Sequence, residues 1–440
     1  MTEAARSRRG DSARTATEIL SALRAGETSA EEIMRETLDV ISAGDPRIRA
    51  FVDFQPEQAL QAARTADRRP AGERGPLHGL PIGVKEVFDV AGMRSTWGSA
   101  IHKDRVPGTD AECVRRMKAA GAIVVGTLTS TEYAIAAASP TLNPHDLSRT
   151  PGGSSSGPAA AVAAGMVSLA LGSQTVGSIV RPSIYCGVYG LKPTHGAIPR
   201  TGGMTLSPPI DHPGVIAASP ADIAVACGVL FGPSSGDSLS RDIAPPGEAS
   251  VRGLRVLVTE LMPPEAAEEP SLEALRRAQA RLADAGARVE PFSFSADYGR
   301  VIDVLYTLMC HDMAVAHGGD FDRASGLMSP QLRELIERGR KTSAAEHDEA
   351  WATALRWRGE IEAILGGNAV LLSPGTRSFA PLLPEGTGSN RQQALWSLVG
   401  LPVIAVPAGL SGHMPVGVQI GASGGREDLL IAAAAALAEG

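Results

Sequence analysis

The chain reads as an α/β protein: a large mixed β-sheet, mostly buried, surrounded by helices within a single large domain. Three observations predict this. Apolar, β-branched runs alternate with helical patterns near the start, in LPIGVKEVFDV, Asp110 to Ala120 and AIVVG, and again late, in LRVLVTE, Leu272 to Ala285, NAVLLSP and LPVIAVPAGL. At 440 residues the chain is long enough to bury a deep core. Hydrophobic residues make up 43% and charged residues 20%, which is ordinary for a globular protein and excludes a wholly disordered or fibrous one.

Taken in order, Ala16 to Leu23 and Ala30 to Ile41 carry apolar residues at helical spacing, with Thr28 or Ser29 as a natural N-cap for the second segment. A polar stretch rich in Arg, Pro and Gly, from Arg68 to Pro76, precedes LPIGVKEVFDV, a buried-strand pattern that puts Lys85 on or just beyond the strand. Asp110 to Ala120 is a helix stopped by Gly121, and AIVVG is a short strand. Pro158 to Leu171 is the most apolar stretch; it is too short to cross a bilayer, is broken by Gly165 and Ser168, and reads as a buried helix. Ser234 to Ser250 is a surface connection, and helices from Asp297 to Leu365 form a cap or insertion beside the sheet. No internal repeat or heptad array is visible.

The net charge of -7 argues against a nucleic-acid partner, because phosphate binding needs a concentrated basic stripe. A small neutral or modestly charged molecule is the expected partner, with no membrane partner and a homodimer left open. Cys113, Cys186, Cys227 and Cys310 are far apart and form no CxxC or Cys/His pattern of zinc spacing, so they read as reduced core thiols; no metal and no cofactor is expected. The start, MTEAARSRRGDSAR, is basic but lacks a following apolar region, so no secretory signal is expected and the cytoplasm is the default location.

The chemistry concentrates in TPGGSSSGPAAAVAAGMVSLALGSQTVGSIVRPSIYCGVYGLKPT, Thr150 to Thr194. Alone, GGSSSG is no more than a turn or flexible link. It stands, however, before a small-residue helix that ends in a second Gly/Ser turn, GSQTVGS, and two such turns bracketing one helix can bring their serines together. A serine hydroxyl is a weak nucleophile until a base lies within reach and donors await the oxyanion. The GxSxG match at Gly153 to Gly157 follows the polar run NPHDLSRTPG instead of an apolar strand, which argues against a nucleophile elbow with a histidine base. Lys85 can serve if burial lowers its pKa; the alternative is a strand-end lysine reaching solvent.

These segments resemble the amidase signature family, whose members use a Ser/cis-Ser/Lys triad. The resemblance extends to HGLPIGVKEVFDVAG and to MPVGVQIGASGGREDLLIAAA, and so covers nearly the whole chain. It implies a helical segment over residues 1–70 and an amidase domain over 71–440, with the signature at 150–194 and the cap at about 297–365. It also implies that Lys85 is the base, Ser154 the bridging serine after a cis Gly153–Ser154 bond, and Ser178 the nucleophile. Backbone N–H groups of Thr175, Val176, Gly177 and Ser178 would form the oxyanion hole, and Ser155 would support the lysine. Arg181 in SIVRPS looks like the malonamidase-like branch, where that arginine holds a substrate carboxylate; pairing with a core acid or with backbone carbonyls is the alternative. Tyr133 and Ser155 join Arg181 as candidate substrate contacts, while Cys186, Lys192 and His195 read as structural.

Three departures from the family pattern stand out. Val176 replaces a glycine or alanine, which is compatible with an N–H donor unless the turn needs positive φ. Glu86 replaces the commoner aspartate after the lysine, and His212 and Pro213 in DHPG stand where relatives have a different turn. The implied activity is hydrolysis of a linear amide through a serine acyl-enzyme, releasing ammonia or an amine. Two other readings remain: the ammonia-releasing component of a tRNA-dependent amidotransferase, from which the text after KPT differs, and an inactive relative serving as a binding protein.

Overall fold

The computed structural model describes residues 14–259, 267–293 and 297–438. The question of a leader in residues 1–13, and Glu260 at the end of LRVLVTE, lie outside them. Helices α1 (Ala16–Ala25) and α2 (Ala30–Ile48) open the chain, each started by a capping box, Thr15 with Glu18 and Ser29 with Glu32. Next come β1 (Phe51–Phe54), α3 (Pro56–Asp67), β2 (Pro81–Lys85), α4 (Glu112–Ala119) and β3 (Ile123–Leu128). The signature contributes α5 (Ser156–Ala163), β4 (Leu169–Gln174), α6 (Val180–Cys186) and β5 (Tyr189–Lys192). Beyond it lie β6 (His212–Ala217), α7 (Pro220–Leu230), β7 (Arg255–Val258), α8 (Glu269–Asp284) and β8 (Arg288–Pro291). Three helices form the cap: α9 (Tyr298–Ala324), α10 (Pro330–Lys341) and α11 (Ala344–Leu365). The chain closes with β9 (Ala369–Pro374), α12 (Arg391–Leu398), β10 (Val403–Ser411), β11 (Met414–Ala422) and α13 (Glu427–Ala438).

Among the described residues the strands form one 11-stranded mixed sheet in the order β1-β3-β2-β4-β6-β5-β10-β11-β9-β7-β8. Strand β2 runs parallel to both neighbours, β3 and β4, while β4 and β6 are antiparallel. Every residue of β2, β3, β6, β9 and β11 is buried, so these strands read as continuous apolar runs and do not alternate. The first 70 residues are not helical alone, because β1 pairs with β3 at the sheet edge.

The expected helix from Pro158 to Leu171 is two elements. Helix α5 stops at Ala163, Gly165 takes the left-handed conformation at φ +70, and β4 begins at Leu169. An unbroken apolar run has no period by which to tell a buried helix from a buried strand, and the glycine decides it. Strand β4, and not the helix, therefore feeds the second Gly/Ser turn. Similarly, LPIGVKEVFDV leaves the sheet after Lys85.

Helix α5 lies so close to the β3 exit that it has no room for a side chain at Gly157. A Cβ there would come within 2.5 Å of both Ala50 O and Thr129 N, and Gly157 N donates to Thr129 O at 3.1 Å. Both neighbours are backbone and cannot swing aside. Gly157→Ala should cost about 1–3 kcal/mol, read as a lower urea midpoint at unchanged m-value; an unaltered midpoint would show that the helix can slide outward.

Candidate active site

Lys85 ends β2 and Ser173 lies near the end of its parallel neighbour β4, with Gly83 opposite Ala170 and Val84 opposite Leu171. Carboxyl ends of adjacent parallel strands are where α/β sheets place their ligands. Lys85 is 0% exposed, and its Nζ lies 2.7 Å from Ser154 Oγ and 2.8 Å from Ser173 Oγ. Burial drives its pKa well below the ordinary 10.5. Glu86 and Asp211 oppose that shift, Arg181 adds to it, and desolvation outweighs them all. A neutral amine has two N–H groups and one lone pair, so it can donate to one serine and accept from the other.

Ser154 follows a cis Gly153–Ser154 peptide bond, as the resemblance implied. Space before it is tight, since a Cβ at Gly153 would sit 2.8 Å from Thr131 Cγ2, and Thr131 N donates to Ser154 O at 3.3 Å. The first serine turn is tied to the second through the backbone: Ser155 N donates to Ser178 O at 3.2 Å. Ser178 itself is 5% exposed, just before α6.

The Thr175 to Ser178 turn is latched from three sides. Thr175 Oγ1 donates to Asp211 Oδ1 at 2.6 Å, and Asp211 Oδ2 accepts Leu206 N at 2.8 Å and Ser207 N at 2.9 Å. Burial pushes the Asp211 carboxyl up to about 6 against these bonds. Gln174 Oε1 accepts the N–H groups of Ile179 at 2.9 Å and Val180 at 3.1 Å, while Gln174 Nε2 donates to Ser397 Oγ at 3.0 Å. Ser397 Oγ in turn donates to Val176 O at 2.6 Å. Gly177 faces α12 so closely that a Cβ would lie 2.6 Å from Gln393 Oε1. Positive φ among the described non-glycine residues is confined to Arg49, Trp97, Tyr133 and Ala134, so Val176 needs no glycine-like conformation.

The remaining expected contacts have distinct fates. Ser155 braces Ser173 and not the lysine: its Oγ donates to Ser173 O at 3.2 Å and accepts Ser173 N at 3.3 Å. Ser173, unnoticed in the sequence, is the lysine's second partner. Tyr133 is fully buried and its hydroxyl donates to Asp320 Oδ2 of α9 at 2.6 Å, so that hydroxyl is committed to the cap. Arg181 donates to Gly153 O at 2.6 Å, Gly388 O at 2.8 Å and Thr387 Oγ1 at 3.2 Å; it has no carboxylate partner among the described residues, and its buried Nε has no partner there either. Of the alternatives for this residue, the structure shows the bonding to carbonyls.

The departures acquire physical accounts. Glu86 reaches two loops, accepting Ser130 N at 2.8 Å and the Thr96 hydroxyl. In DHPG, Asp211 holds Thr175, while His212 pairs with Gln174 and Pro213 with Ser173 across β6 and β4. Lys192 donates to Leu401 O at 2.6 Å, His195 Nε2 lies 2.9 Å from Pro208 O, and the Cys186 thiol faces Pro151 O at 3.5 Å, all structural contacts.

A family model described as Amidase matches residues 32–431. A glutamyl-tRNA(Gln) amidotransferase subunit of Chloroflexus aggregans (strain MD-66 / DSM 9485) is 33% identical over 91% of this chain and 91% of its own length. The subunit of the same name from Moorella thermoacetica (strain ATCC 39073 / JCM 9320) is 34% identical over 92% of each. Among solved structures, a chain described under "An unexpected vestigial protein complex reveals the evolutionary origins of an s-triazine catabolic enzyme" superposes with TM-score 0.88 at 31% identity, covering 97% of this chain and 98% of that one. The native peptide amidase from Stenotrophomonas maltophilia superposes with TM-score 0.83 at 27% identity, covering 98% and 97%.

The buried lysine leaves a signature in stability. Unfolded, it titrates near 10.5; folded, well below. Between those values the unfolded chain holds the extra proton, so each unit fall in pH destabilises the fold by about 1.4 kcal/mol. Lys85→Met removes the titrating group, so its stability relative to the unaltered chain should increase as pH falls through that window. Denaturation midpoints measured at several pH values check this; a difference independent of pH would mean that Lys85 is charged in the fold.

Proposed function

The chain belongs to the amidase signature family of enzymes acting on carbon–nitrogen bonds, and on that premise we propose that it is a hydrolytic amidase in which Ser178 attacks, Ser154 relays protons and neutral Lys85 is the base. The observation that carries this reading is the amine of Lys85, fully buried between two serine hydroxyls. In the forward step the Ser178 oxygen bonds to the amide carbonyl carbon, its proton passes to Ser154, and the Ser154 proton passes to Lys85. Backbone N–H groups of Thr175 to Ser178 receive the oxyanion, held in place by the Asp211, Gln174 and Ser397 bonds. The protonated lysine then returns its proton through Ser154 to the leaving nitrogen, the C–N bond breaks, and water hydrolyses the acyl-enzyme by the same relay.

The substrate of this reading is a small polar or carboxylate-bearing amide, and no macromolecule is needed for the reaction. Arg181 keeps a buried positive charge beside Gly153 with carbonyls as its partners, and a ligand carboxylate would offset a charge that is costly to leave uncompensated. The hydroxyls of Ser130 and Thr131, on the loop against Ser154, are buried without partners among the described residues, which also favours a polar ligand. The named amidotransferase relatives support a second reading, an ammonia-releasing component of a larger assembly. Amide hydrolysis by the purified chain alone favours the first; release only with a partner and charged tRNA favours the second.

An active-site fluorophosphonate should label Ser178, and both Ser178→Ala and Ser154→Ala should abolish acyl-enzyme formation with the fold intact. The acidic limb of kcat/KM should rise with pH as Lys85 loses its proton, at a pKa well below 10.5. Lys85→Arg should be inactive, because arginine does not deprotonate in proteins. Mass spectrometry placing the label on Ser154 or Ser155, or a flat profile from acid to neutral pH, would overturn the assignment of roles.

Arg181→Leu should raise KM for carboxylated amides by about 1.5–3 kcal/mol more than for neutral ones. Damage to the 387–388 loop that Arg181 also holds would affect both substrate classes alike, so equal losses would reduce this residue to a structural role.

A further inference from the structure

Away from the serine turns, the cap gathers a second group of donor atoms. His311 and Asp312 are neighbours on α9, His347 lies in the first turn of α11, and one ligand atom from each lies within 4.8 Å of the others. The two imidazoles are in contact at a tilt, with ring centroids 4.4 Å apart and an interplanar angle of 38°. Asp312 Oδ1 lies 3.3 Å from His311 Nδ1 and 2.9 Å from His347 Nε2. The second approach is close but misaligned for a hydrogen bond, so His347 Nε2 is buried with no hydrogen-bond partner among the described residues. Behind it, His347 Nδ1 faces Asp348 Oδ1 at 3.6 Å.

Two imidazoles and a carboxylate with their donor atoms this close form a three-ligand set, and this donor set suits zinc and its transition-metal neighbours better than calcium or magnesium. We propose that His311, Asp312 and His347 bind a divalent transition cation of the zinc class, bridging α9 to α11. No linear spacing marks this site, because its ligands come from two helices separated by α10. It is joined to the serine turn by hydrogen bonds: Ser207 Oγ donates to Asp312 Oδ2 at 2.6 Å, Ser207 N to Asp211 Oδ2 at 2.9 Å, and Thr175 Oγ1 to Asp211 Oδ1 at 2.6 Å. A cation held on Oδ1 leaves Oδ2 with Ser207, so the cap becomes fastened to the loop that holds Thr175.

The test uses the full chain after chelation and desalting. Zinc titrated by calorimetry should bind one equivalent with a Kd of about 1 µM or tighter, and should raise Tm in proportion to the logarithm of its concentration over Kd. Cobalt(II) should give a visible d–d band of the intensity typical of four-coordinate sites. His347→Gln and Asp312→Asn should each weaken zinc binding by about 100-fold or more, while His413→Gln, on the distant β10–β11 hairpin, should not. If Asp312→Asn fails to fold because Ser207 loses its partner, His347→Gln decides. Absence of saturable binding below about 100 µM, or equal affinity in His347→Gln, overturns the proposal.

Discussion

A neutral amine buried at the end of β2 is the constraint around which the site is arranged. Removing the lysine from water disfavours its ammonium form by about 1.4 kcal/mol for each unit of pKa depression. Glu86 next to it and the Asp211 carboxyl pull the other way, so burial must be complete to prevail. The surrounding sequence meets that demand. Lys85 lies between parallel strands on both sides, beneath α5, and its polar end meets the hydroxyls of Ser154 and Ser173. The cost is a fold less stable than an apolar residue would give, the exchange of stability for reactivity expected at a working site.

On the proposed reading, the second serine must be held rigidly for its proton to reach that amine. The turn from Thr175 to Ser178 has no regular structure of its own to hold it. Instead, the Gln174 side chain accepts the first N–H groups of α6, Ser397 of α12 bonds the Val176 carbonyl, and Asp211 bonds the Thr175 hydroxyl. Each latch comes from a different part of the chain, so the turn records the packing of the whole sheet. The cap is bound into the same network through Asp312 to Ser207 and through Asp320 to Tyr133, whose backbone has a left-handed φ of 45.

Much of this is legible in the sequence, for identifiable reasons. Strands that are buried on both faces announce themselves as apolar runs, so the α/β class can be read directly, and helices do occupy the segment from Tyr298 to Leu365. Lys85 stands out as a lysine in an otherwise apolar run, and Ser154 and Ser178 as members of two Gly/Ser turns that resemble the family signature. What cannot be read is partnership across the chain. Ser173 is one more serine of GSQTVGS until β4 is placed beside β2, and the helix expected through Leu171 hides that strand. Asp211 sits in DHPG with no pattern to connect it to Thr175. Tyr133 has the chemistry of a ligand contact, and only the position of Asp320 shows where its hydroxyl is used.

On the proposed reading, Arg181 brings the two electrostatic demands of the site into conflict. A positive charge near Lys85 helps to keep the amine neutral, and the same charge is suited to receive an anionic substrate. A carboxylate that neutralised Arg181 would weaken its effect on the lysine just when the base is needed. Two features limit that loss. Desolvation is the largest contribution to the lysine shift, and a bound substrate that excludes water strengthens it. The guanidinium is also fixed by Gly153 O, Gly388 O and Thr387 Oγ1, so it cannot swing toward the ligand and away from the Ser154 turn. On the proposed reading, bonds that look merely structural let one arginine hold the backbone before Ser154 and present its charge to a substrate without either role moving the other.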